Sequence, residues 1–313
     1  MRALPMSIRP QIGLAYLLAR AADTIADTGI VAVPERLAAL QAFRQKVLGT
    51  DLGPFRLNDF IAHQGSPGER SLLERLGGVL GWLEQLDSAD RQLVREVLDT
   101  ISSGQELDLQ RFAYANTACI IPLQTDADLD DYTYRVAGCV GEFWTKMCRA
   151  HAFPSARLDD AALLTAGVRF GKGLQLVNIL RDLPADLRRG RCYLPLASLS
   201  ELEVKPADLL LPKNEIRVRP VYDDYLRRAE AHLAAGWSYT NALPWRAVRV
   251  RLACAWPILI GMRTLARLKT GPILDPAEPI KIRRKEIRSL ILRSVVLYPF
   301  PRVWRGIFRS GGT

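Results

Sequence analysis

The sequence is poor in cysteine and histidine, the residues that build zinc sites and disulfide frameworks. It has 313 residues but only five cysteines and three histidines, with no Cys-x-x-Cys pair and no histidine cluster. A structural zinc site needs four such ligands close together, and a disulfide framework needs paired cysteines. We therefore expect neither kind of site, and we expect a protein of a reducing compartment, the cytoplasm.

Long uncharged apolar runs are also absent, as is the pattern of a nucleic-acid-binding protein. A membrane-spanning helix needs about 20 consecutive apolar residues, a length that no uncharged run reaches. Arg2 and Arg9 precede a short apolar stretch, but Arg20 lies inside the would-be cleavage site, so secretion is not favoured.

The formal charge is +10. No aromatic-interleaved basic stripe, zinc finger or RNA-binding signature accompanies it, so we expect no nucleic-acid partner.

Helical periodicity dominates the rest of the sequence. Apolar residues make up 49% of the chain and recur mostly at helical rather than strand spacing. Gly-Pro, Phe-Pro and Leu-Pro pairs separate the periodic segments. The pattern predicts an all-α fold, one helical domain around a central cavity. The predicted helices lie near 6–28, 35–48, 69–85, 88–103, 130–150, 159–183, 215–242 and 246–269.

Two Asp-x-x-x-Asp motifs lie about half a chain apart, at Asp23 to Asp27 and at Asp182 to Asp186. Residues four apart share a helix face, so each motif aims two carboxylates at one point. Magnesium is usually held by one or two carboxylates together with phosphate oxygens. The motifs therefore predict a magnesium–diphosphate site on helices that face each other across one cavity. Polar residues that continue the two stripes at helical spacing are Tyr16, Arg20, Gln175, Asn178 and Arg189.

A third pair, Asp126 and Asp130, has a structural interpretation. It precedes an apolar segment, where acidic residues in a first helical turn interact favourably with the helix dipole. We expect no metal at this pair.

The stretch 132–141 is rich in small residues. Gly138 and Gly141 each weaken a helix by up to about 1 kcal/mol relative to alanine, so something must offset that cost. Close approach of another helix and an apolar substrate channel are both open explanations. Tyr132 is a candidate proton carrier if it points at the site.

The C-terminal segment 286–313 mixes basic, aromatic and aliphatic residues, a composition typical of a membrane interface. Pro299 and Pro301 exclude one continuous helix there. Peripheral membrane attachment and packing onto the domain are both open for this tail.

At these residues the chain resembles the squalene and phytoene synthase family of head-to-head prenyl transferases over nearly its full length. Residues 16–27 resemble the first aspartate motif of the family. Residues 175–182, with Asp186 and the Gly-Arg-Cys-Tyr-Leu-Pro of 190–195, resemble the second. Residues 132–141 are similar to the Tyr-x-x-x-Val-Ala-Gly-x-Val-Gly helix between them.

The resemblance implies an isoprenoid-synthase fold over residues 1–285, with 286–313 as the tail, and the joining of two farnesyl diphosphates. Magnesium would promote ionisation of the first diphosphate, and the double bond of the second molecule would attack the allylic cation. Proton loss would close the cyclopropane of presqualene diphosphate, which NADPH would reduce to squalene. The metal ligands implied by the family are Asp23, Asp27, Asp182 and Asp186.

The resemblance also implies further residue roles. Tyr132 would be the acid/base, and Cys254 and Pro257, in Cys-Ala-Trp-Pro, resemble a substrate-contacting segment of the reductive squalene synthases. No Gly-x-Gly-x-x-Gly follows a strand, so NADPH depends on the resemblance alone; a solvated or lipid-facing basic patch is the alternative. Tyr16, Arg20, Gln175, Asn178, Arg181 and Arg189 would bind the diphosphate. NADPH would be held by Lys281, Arg283 and Asn178.

Two departures from the family pattern accompany the resemblance. A Ser-Arg-x-Phe-like segment before the first helix has no counterpart, since the chain opens Met-Arg-Ala-Leu-Pro; this predicts a start further upstream or impaired activity. Pro184 lies inside the second motif and predicts a kink that disturbs the stacking of Asp186 over Asp182. A non-reductive synthase making presqualene diphosphate, dehydrosqualene or phytoene stays open, as does a non-catalytic helical protein that binds prenyl lipids or membranes.

Overall fold

The computed structural model describes residues 3–311, apart from 52, 54, 56, 65 and 278. Over these residues the chain forms fourteen α-helices and one two-stranded sheet, which confirms the all-α fold class. The sheet pairs β1 (Ile121–Pro122) in parallel with β2 (Arg191–Cys192). The chain divides into two compact units, Met1–Ala113 with Lys146–Ala152, and Tyr114–Thr145 with Phe153–Thr313.

The first unit contains six helices and the end of a seventh. The predicted helix near 69–85 is in fact two, because the chain turns at Arg75 between them. The helices are α1 (Arg9–Asp27), α2 (Val33–Leu48), α3 (Asn58–Ala62), α4 (Pro67–Glu74), α5 (Leu76–Glu84) and α6 (Ser88–Arg111).

The second unit contains β1, β2 and the other helices. Two of these, near the C-terminus, were not predicted by periodicity. The helices are α7 (Asp126–Thr133), α8 (Cys139–His151, passing into the first unit at Lys146), α9 (Asp160–Arg188), α10 (Leu196–Ser200), α11 (Glu215–Ala242), α12 (Val248–Leu268), α13 (Arg284–Leu297) and α14 (Pro301–Gly311). A π-helical turn, Tyr134–Gly138, joins α7 to α8, and two short 3-10 turns, Pro206–Leu210 and Pro212–Asn214, precede α11.

In the first unit, α1 and α2 pack against α6. The buried face of α1 includes Leu14 and Leu18, four residues apart as helical periodicity requires. A buried carboxylate joins three helices: Asp90 of α6 accepts a hydrogen bond from Gln11 of α1 at 2.9 Å and bonds His151 of α8 at 2.6 Å. These bonds fix α1, the helix that carries the first aspartate motif.

In the second unit, α8 and α9 touch backbone to backbone. A Cβ atom on Gly141 would lie 1.9 Å from the carbonyl oxygen of Gly167, so no other residue fits without moving a helix. This close contact between the helices is a gain that offsets the cost in helix stability of the glycines in 132–141. Helix packing is therefore the confirmed explanation for Gly141.

The helix α9 continues through Pro184 to Arg188. Proline has no N–H, so the carbonyl of Leu180, four residues earlier, loses its helical donor. The hydroxyl of Tyr222 on α11 donates to that carbonyl at 2.9 Å, and Tyr222 is fully buried. Pro184 therefore does not end the helix, and the second aspartate motif stays helical on both sides of it.

Gly190 closes α9 with φ of +80°, a left-handed conformation that favours glycine. A Cβ there would lie 2.2 Å from the backbone nitrogen of Asn116. The Gly190 carbonyl then accepts from the N–H of Ile121 at 2.8 Å, which starts the pairing of β1 with β2.

One side of the C-terminal segment packs onto the rest of the second unit. As the prolines predict, α13 ends at Leu297 and α14 begins at Pro301. Tyr298 stacks on Trp245 with ring centroids 4.3 Å apart, and Trp304 is fully buried. Among the residues that the structure describes, no helix has both the length and the apolar character needed to cross a bilayer.

Candidate active site

The first aspartate motif lies on the last two turns of α1. Asp23 is half-buried and Asp27 is exposed. Burial raises the pKa of Asp23 to about 6, and the negative charge of Asp27 adds to the rise. Buried Arg36 donates to the carbonyl of Ala26 at 2.8 Å and so holds the end of α1. Two oxygen-bearing side chains that repel each other fit a hard divalent cation, which would relieve the repulsion.

Gln105 of α6 is a site residue that the sequence did not reveal. It is buried, and its Nε2 donates to Oδ1 of Asp23. The bond fixes the orientation of the carboxylate. Because it uses Oδ1, Gln105 does not occupy Oδ2 of Asp23. Gln105 lies four positions after Ile101, so helical spacing would have placed both on the buried face of α6. The predicted helix stopped at 103, before Gln105.

The other two members of the first stripe are exposed on α1. Tyr16 is 59% exposed, and Arg20 forms an ion pair with Glu69 of α4. An exposed ion pair is worth little and opens easily, so Arg20 can bind a ligand anion instead. The predicted stripe along α1 therefore offers a hydroxyl, a guanidinium and two carboxylates on one accessible face.

The second motif lies on the last turns of α9. Arg181 binds both oxygens of Asp182, from Nε at 2.8 Å and from Nη2 at 2.5 Å. This bond, with the charges of Asp182 and Asp186, raises the pKa of Arg181. The charges of both carboxylates therefore act on one guanidinium.

The amides before the second motif also lie along α9. The Nδ2 of Asn178 donates to the Oε1 of Gln175 at 3.4 Å, and Asn178 is exposed. Arg189, just past the end of α9, is exposed as well. Gln175 and Asn178 therefore present polar groups along the helix before Asp182, and Arg189 presents a guanidinium after it.

The donor set of the two motifs fits magnesium rather than a metal enclosed by protein. Over the described part of the chain, no three side chains of His, Cys, Asp or Glu gather around one point. Magnesium is commonly held by one or two carboxylates, with water and substrate phosphate as the other ligands. Each aspartate pair matches that requirement within its own unit; convergence of the two pairs on one cavity stays a prediction.

Tyr132 lies in the last turn of α7 and is 9% exposed. Its ring stacks on that of Tyr193, with centroids 4.7 Å apart and planes 27° from parallel. The π-helical turn that follows, Tyr134–Gly138, is a feature often found at functional sites. Tyr193 follows β2, so the stack joins the two sequence segments that the family resemblance singled out.

The C-terminal candidates divide into buried and exposed residues. Cys254 is buried in α12, and burial raises the pKa of its thiol to about 12, so it is not a nucleophile. Pro257 is half-buried in the same helix. Lys281 and Arg283 are exposed, and the N–H of Arg283 donates to Glu286 at 3.0 Å. The substrate and NADPH roles of these residues stay predictions.

The third aspartate pair forms ion pairs with basic side chains. Asp126 forms an ion pair with Arg228 at 2.8 Å, and Asp130 forms one with Lys172 at 2.7 Å. Both acids are therefore satisfied by basic side chains, and Asp126 lies in the first turn of α7.

The chain is similar to known proteins over nearly its whole length. Residues 1–284 match the family model described as Squalene/phytoene synthase. The squalene synthase of Schizosaccharomyces pombe is 24% identical over 301 residues, which cover 95% of this chain and 61% of that synthase. The presqualene diphosphate synthase of Rhodopseudomonas palustris is 26% identical over 302 residues, which cover 95% of this chain and 91% of that protein. The chain thus spans about three fifths of the length of the squalene synthases it matches.

The fold is similar to that of a solved structure of TcSQS with the ligand E5700. The TM-score is 0.75 at 19% identity, over 99% of this chain and 92% of that one. At that identity the likeness supports the fold alone, and it confirms the expected isoprenoid-synthase fold. Because the family model covers residues 1–284, the chain belongs to the squalene/phytoene synthase family of head-to-head prenyl transferases.

Proposed function

We propose that this protein is a magnesium-dependent squalene synthase that condenses two molecules of farnesyl diphosphate through presqualene diphosphate. The observation that carries the proposal is the pair Asp23 and Asp27 on α1. One carboxylate is half-buried with its pKa raised to about 6 beside a second, and both lie within the residues that the family model matches. Such a pair gains from a bound cation, and a prenyl diphosphate supplies the cation's remaining oxygen ligands.

The residues that would hold the metal are Asp23, Asp27, Asp182 and Asp186. Magnesium, when bound, neutralises charge on the leaving diphosphate. If a cation replaced Arg181 at Asp182, the guanidinium of Arg181 would become available for bidentate phosphate binding. Donors that would bind the diphosphate oxygens directly are Tyr16, Arg20, Gln175, Asn178 and Arg189.

Tyr132 supports the proton-transfer step. Its side chain is largely buried and its ring stacks on that of Tyr193, and an allylic cation would be quenched in bulk water. The Oη of Tyr132 would accept the proton lost as the cyclopropane ring closes, while its own hydroxyl proton passes to the released diphosphate. Its π face and that of Tyr193 also offer an apolar surface to a carbocation.

For the reductive step we assign the exposed Lys281 and Arg283, with Asn178, to NADPH. The cofactor, when bound, supplies the hydride that completes squalene. Two exposed basic side chains suit a phosphorylated nucleotide. We place the enzyme in the cytoplasm, in keeping with five cysteines that are all free thiols.

A second candidate function is a synthase that stops at presqualene diphosphate. It is favoured by the match to the presqualene diphosphate synthase of Rhodopseudomonas palustris, of which the chain covers 91%. In that case Lys281 and Arg283 have no cofactor role and belong to the basic surface of the C-terminal segment. Dehydrosqualene and phytoene are the other non-reductive products.

Product identification separates these functions. The purified protein is incubated with farnesyl diphosphate and magnesium, with and without NADPH, and the products are identified by mass spectrometry. Squalene that forms only with NADPH supports the first function. Presqualene diphosphate that accumulates equally under both conditions supports the second. Farnesyl diphosphate that binds but is never consumed, with or without magnesium, rejects both in favour of a non-catalytic prenyl-lipid-binding protein.

A further inference from the structure

The positive charge of this protein is concentrated in its C-terminal segment. Residues 279–313 contain nine Lys and Arg against a single Glu, a net +8 out of the +10 carried by the whole chain. The one acid, Glu286, is held by Arg267 through two hydrogen bonds of 2.8 Å. The helix packed against α13, α12, contains four arginines and no acidic residue. The charge of this segment is therefore not neutralised by the helix beneath it.

An apolar surface accompanies the charge. Leu292, Val295 and Val296 lie on one face of α13, spaced as helix neighbours, and Phe300 and Val303 follow in the turn and in α14. These five side chains are between 44% and 65% exposed. Single exposed apolar residues are ordinary, but five within twelve positions form a patch that marks an interaction site. We call these five residues the α13–α14 patch.

Basic residues surround the α13–α14 patch. Arg288 lies one helical turn before Leu292 on the same face of α13, and Arg293 lies beside it; both are exposed. Arg302 and Arg305, also exposed, flank Val303 on α14. An apolar centre with guanidinium groups at its edge is the arrangement of a helix that lies in the headgroup region of a membrane.

The patch is held rigidly rather than carried on a loose tail. Arg251 of α12 is 2% exposed and lies over the rings of Trp245 at 4.7 Å and Trp304 at 4.8 Å. Its Nη1 donates to the carbonyl of Leu243 at 2.7 Å, and the indole of Trp304 donates to the carbonyl of Ser294 at 3.1 Å. Because α13 and α14 are fastened from inside, their outer faces point to solvent together.

We propose that the α13–α14 patch docks this protein on the surface of a lipid bilayer that carries anionic headgroups. The apolar side chains would enter the boundary between headgroups and acyl chains, and the arginines would bind headgroup phosphates. Charge complementarity selects this occupant: a nucleic acid would leave the apolar side chains exposed, and a second copy of the chain would oppose like charges. The patch contains none of the residues assigned to catalysis.

Vesicle co-sedimentation tests the docking. The whole protein is mixed with vesicles of phosphatidylcholine alone and with vesicles that also contain phosphatidylglycerol. We expect binding at least about tenfold tighter to the anionic vesicles, weakened by added salt. The double variant Leu292→Glu/Val296→Glu should lose binding. Arg293→Glu/Arg302→Glu should weaken binding by about tenfold or more to anionic vesicles only.

Two matched controls lie on the same unit but outside the patch. Ile216 of α11 is 86% exposed, so Ile216→Glu makes the apolar-to-acid change elsewhere. Lys213→Glu reverses an exposed charge elsewhere. Both controls should bind vesicles as the unchanged protein does, and circular dichroism should show all variants folded. Equal binding to both kinds of vesicle, or patch variants that bind normally, would overturn the proposal. So would a concentration-dependent dimer that Leu292→Glu dissociates, without vesicle binding.

Discussion

Asp23 shows at the scale of one residue how a buried carboxylate costs stability. Its pKa in the folded protein is about 6, above the ordinary value of 3.8, because burial and Asp27 disfavour the charged form. Protonation therefore favours the folded state, and that contribution is lost as pH rises from about 4 through about 6. A cation bound at the proposed site would offset the same penalty at neutral pH.

Asp23→Asn should raise the free energy of unfolding by about 1–3 kcal/mol at pH 8 in EDTA, and by much less at pH 4. The amide is never charged, so the repulsion from Asp27 disappears. Urea denaturation at the two pH values measures the difference. Magnesium should stabilise the unchanged protein and leave the variant unaffected; a variant that is less stable at pH 8 would contradict the assignment.

Gln105 is the second residue with a testable role. Gln105→Leu keeps the size of the side chain and removes the hydrogen bond to Asp23, which releases the carboxylate. We expect the magnesium concentration for half-maximal turnover to rise by about tenfold, the effect of losing one hydrogen bond to a charged group. Gln110→Leu is the matched control, because Gln110 is exposed on the same helix. An unchanged magnesium requirement would remove Gln105 from the site.

At the scale of helices, Tyr222 compensates for Pro184. Tyr222→Phe leaves the carbonyl of Leu180 buried without a donor, which should cost about 1–3 kcal/mol of unfolding free energy. In a Pro184→Ala background the residue-184 amide can bond that carbonyl, so the same substitution should cost clearly less. Urea denaturation of the four proteins completes the cycle. Tyr114→Phe, at an exposed tyrosine, should be neutral. Equal costs in both backgrounds would show that the two residues are uncoupled.

The crossing of α8 and α9 makes a second prediction at this scale. Gly141→Ala should destabilise the protein by several kcal/mol, because its methyl group would overlap the carbonyl of Gly167. Gly78→Ala in α5 meets no atom within 4 Å and should add about 0.5–1 kcal/mol. Thermal denaturation compares the two. If Gly141→Ala were as stable as the unchanged protein, α8 and α9 could move apart without loss of stability, which would contradict this prediction.

At the scale of the whole molecule, each compact unit carries one aspartate motif. We expect Asp23→Ala and Asp182→Ala each to lower turnover of farnesyl diphosphate by about 10³-fold with the fold intact, since each removes charge stabilisation of the leaving group. Asp130→Ala is the control, as it removes an exposed aspartate paired with Lys172. Steady-state rates and circular dichroism report the outcome. If Asp130→Ala lowered turnover as much as Asp23→Ala does, the two aspartate motifs would have no particular role in catalysis.

Much of the fold followed from local pattern. The helices that became α1, α9 and α11 were predictable because helical periodicity depends on neighbours a few residues apart. The prolines near 300 divided α13 from α14 for an equally local reason. Both C-terminal helices were missed, because Leu292 on α13 and Val303 on α14 are exposed, and apolar residues on both sides of a short helix obscure its period.

The sequence by itself determined that carboxylates would stand in pairs on helix faces, because residues four apart align whatever the rest of the chain does. Only the tertiary structure decided that Gln105 of α6 would orient Asp23 of α1. It also decided that Tyr222 would complete the helix at Pro184. Those outcomes depend on which distant side chains packing brings within 3 Å of a polar group, and spacing along the chain carries no such information.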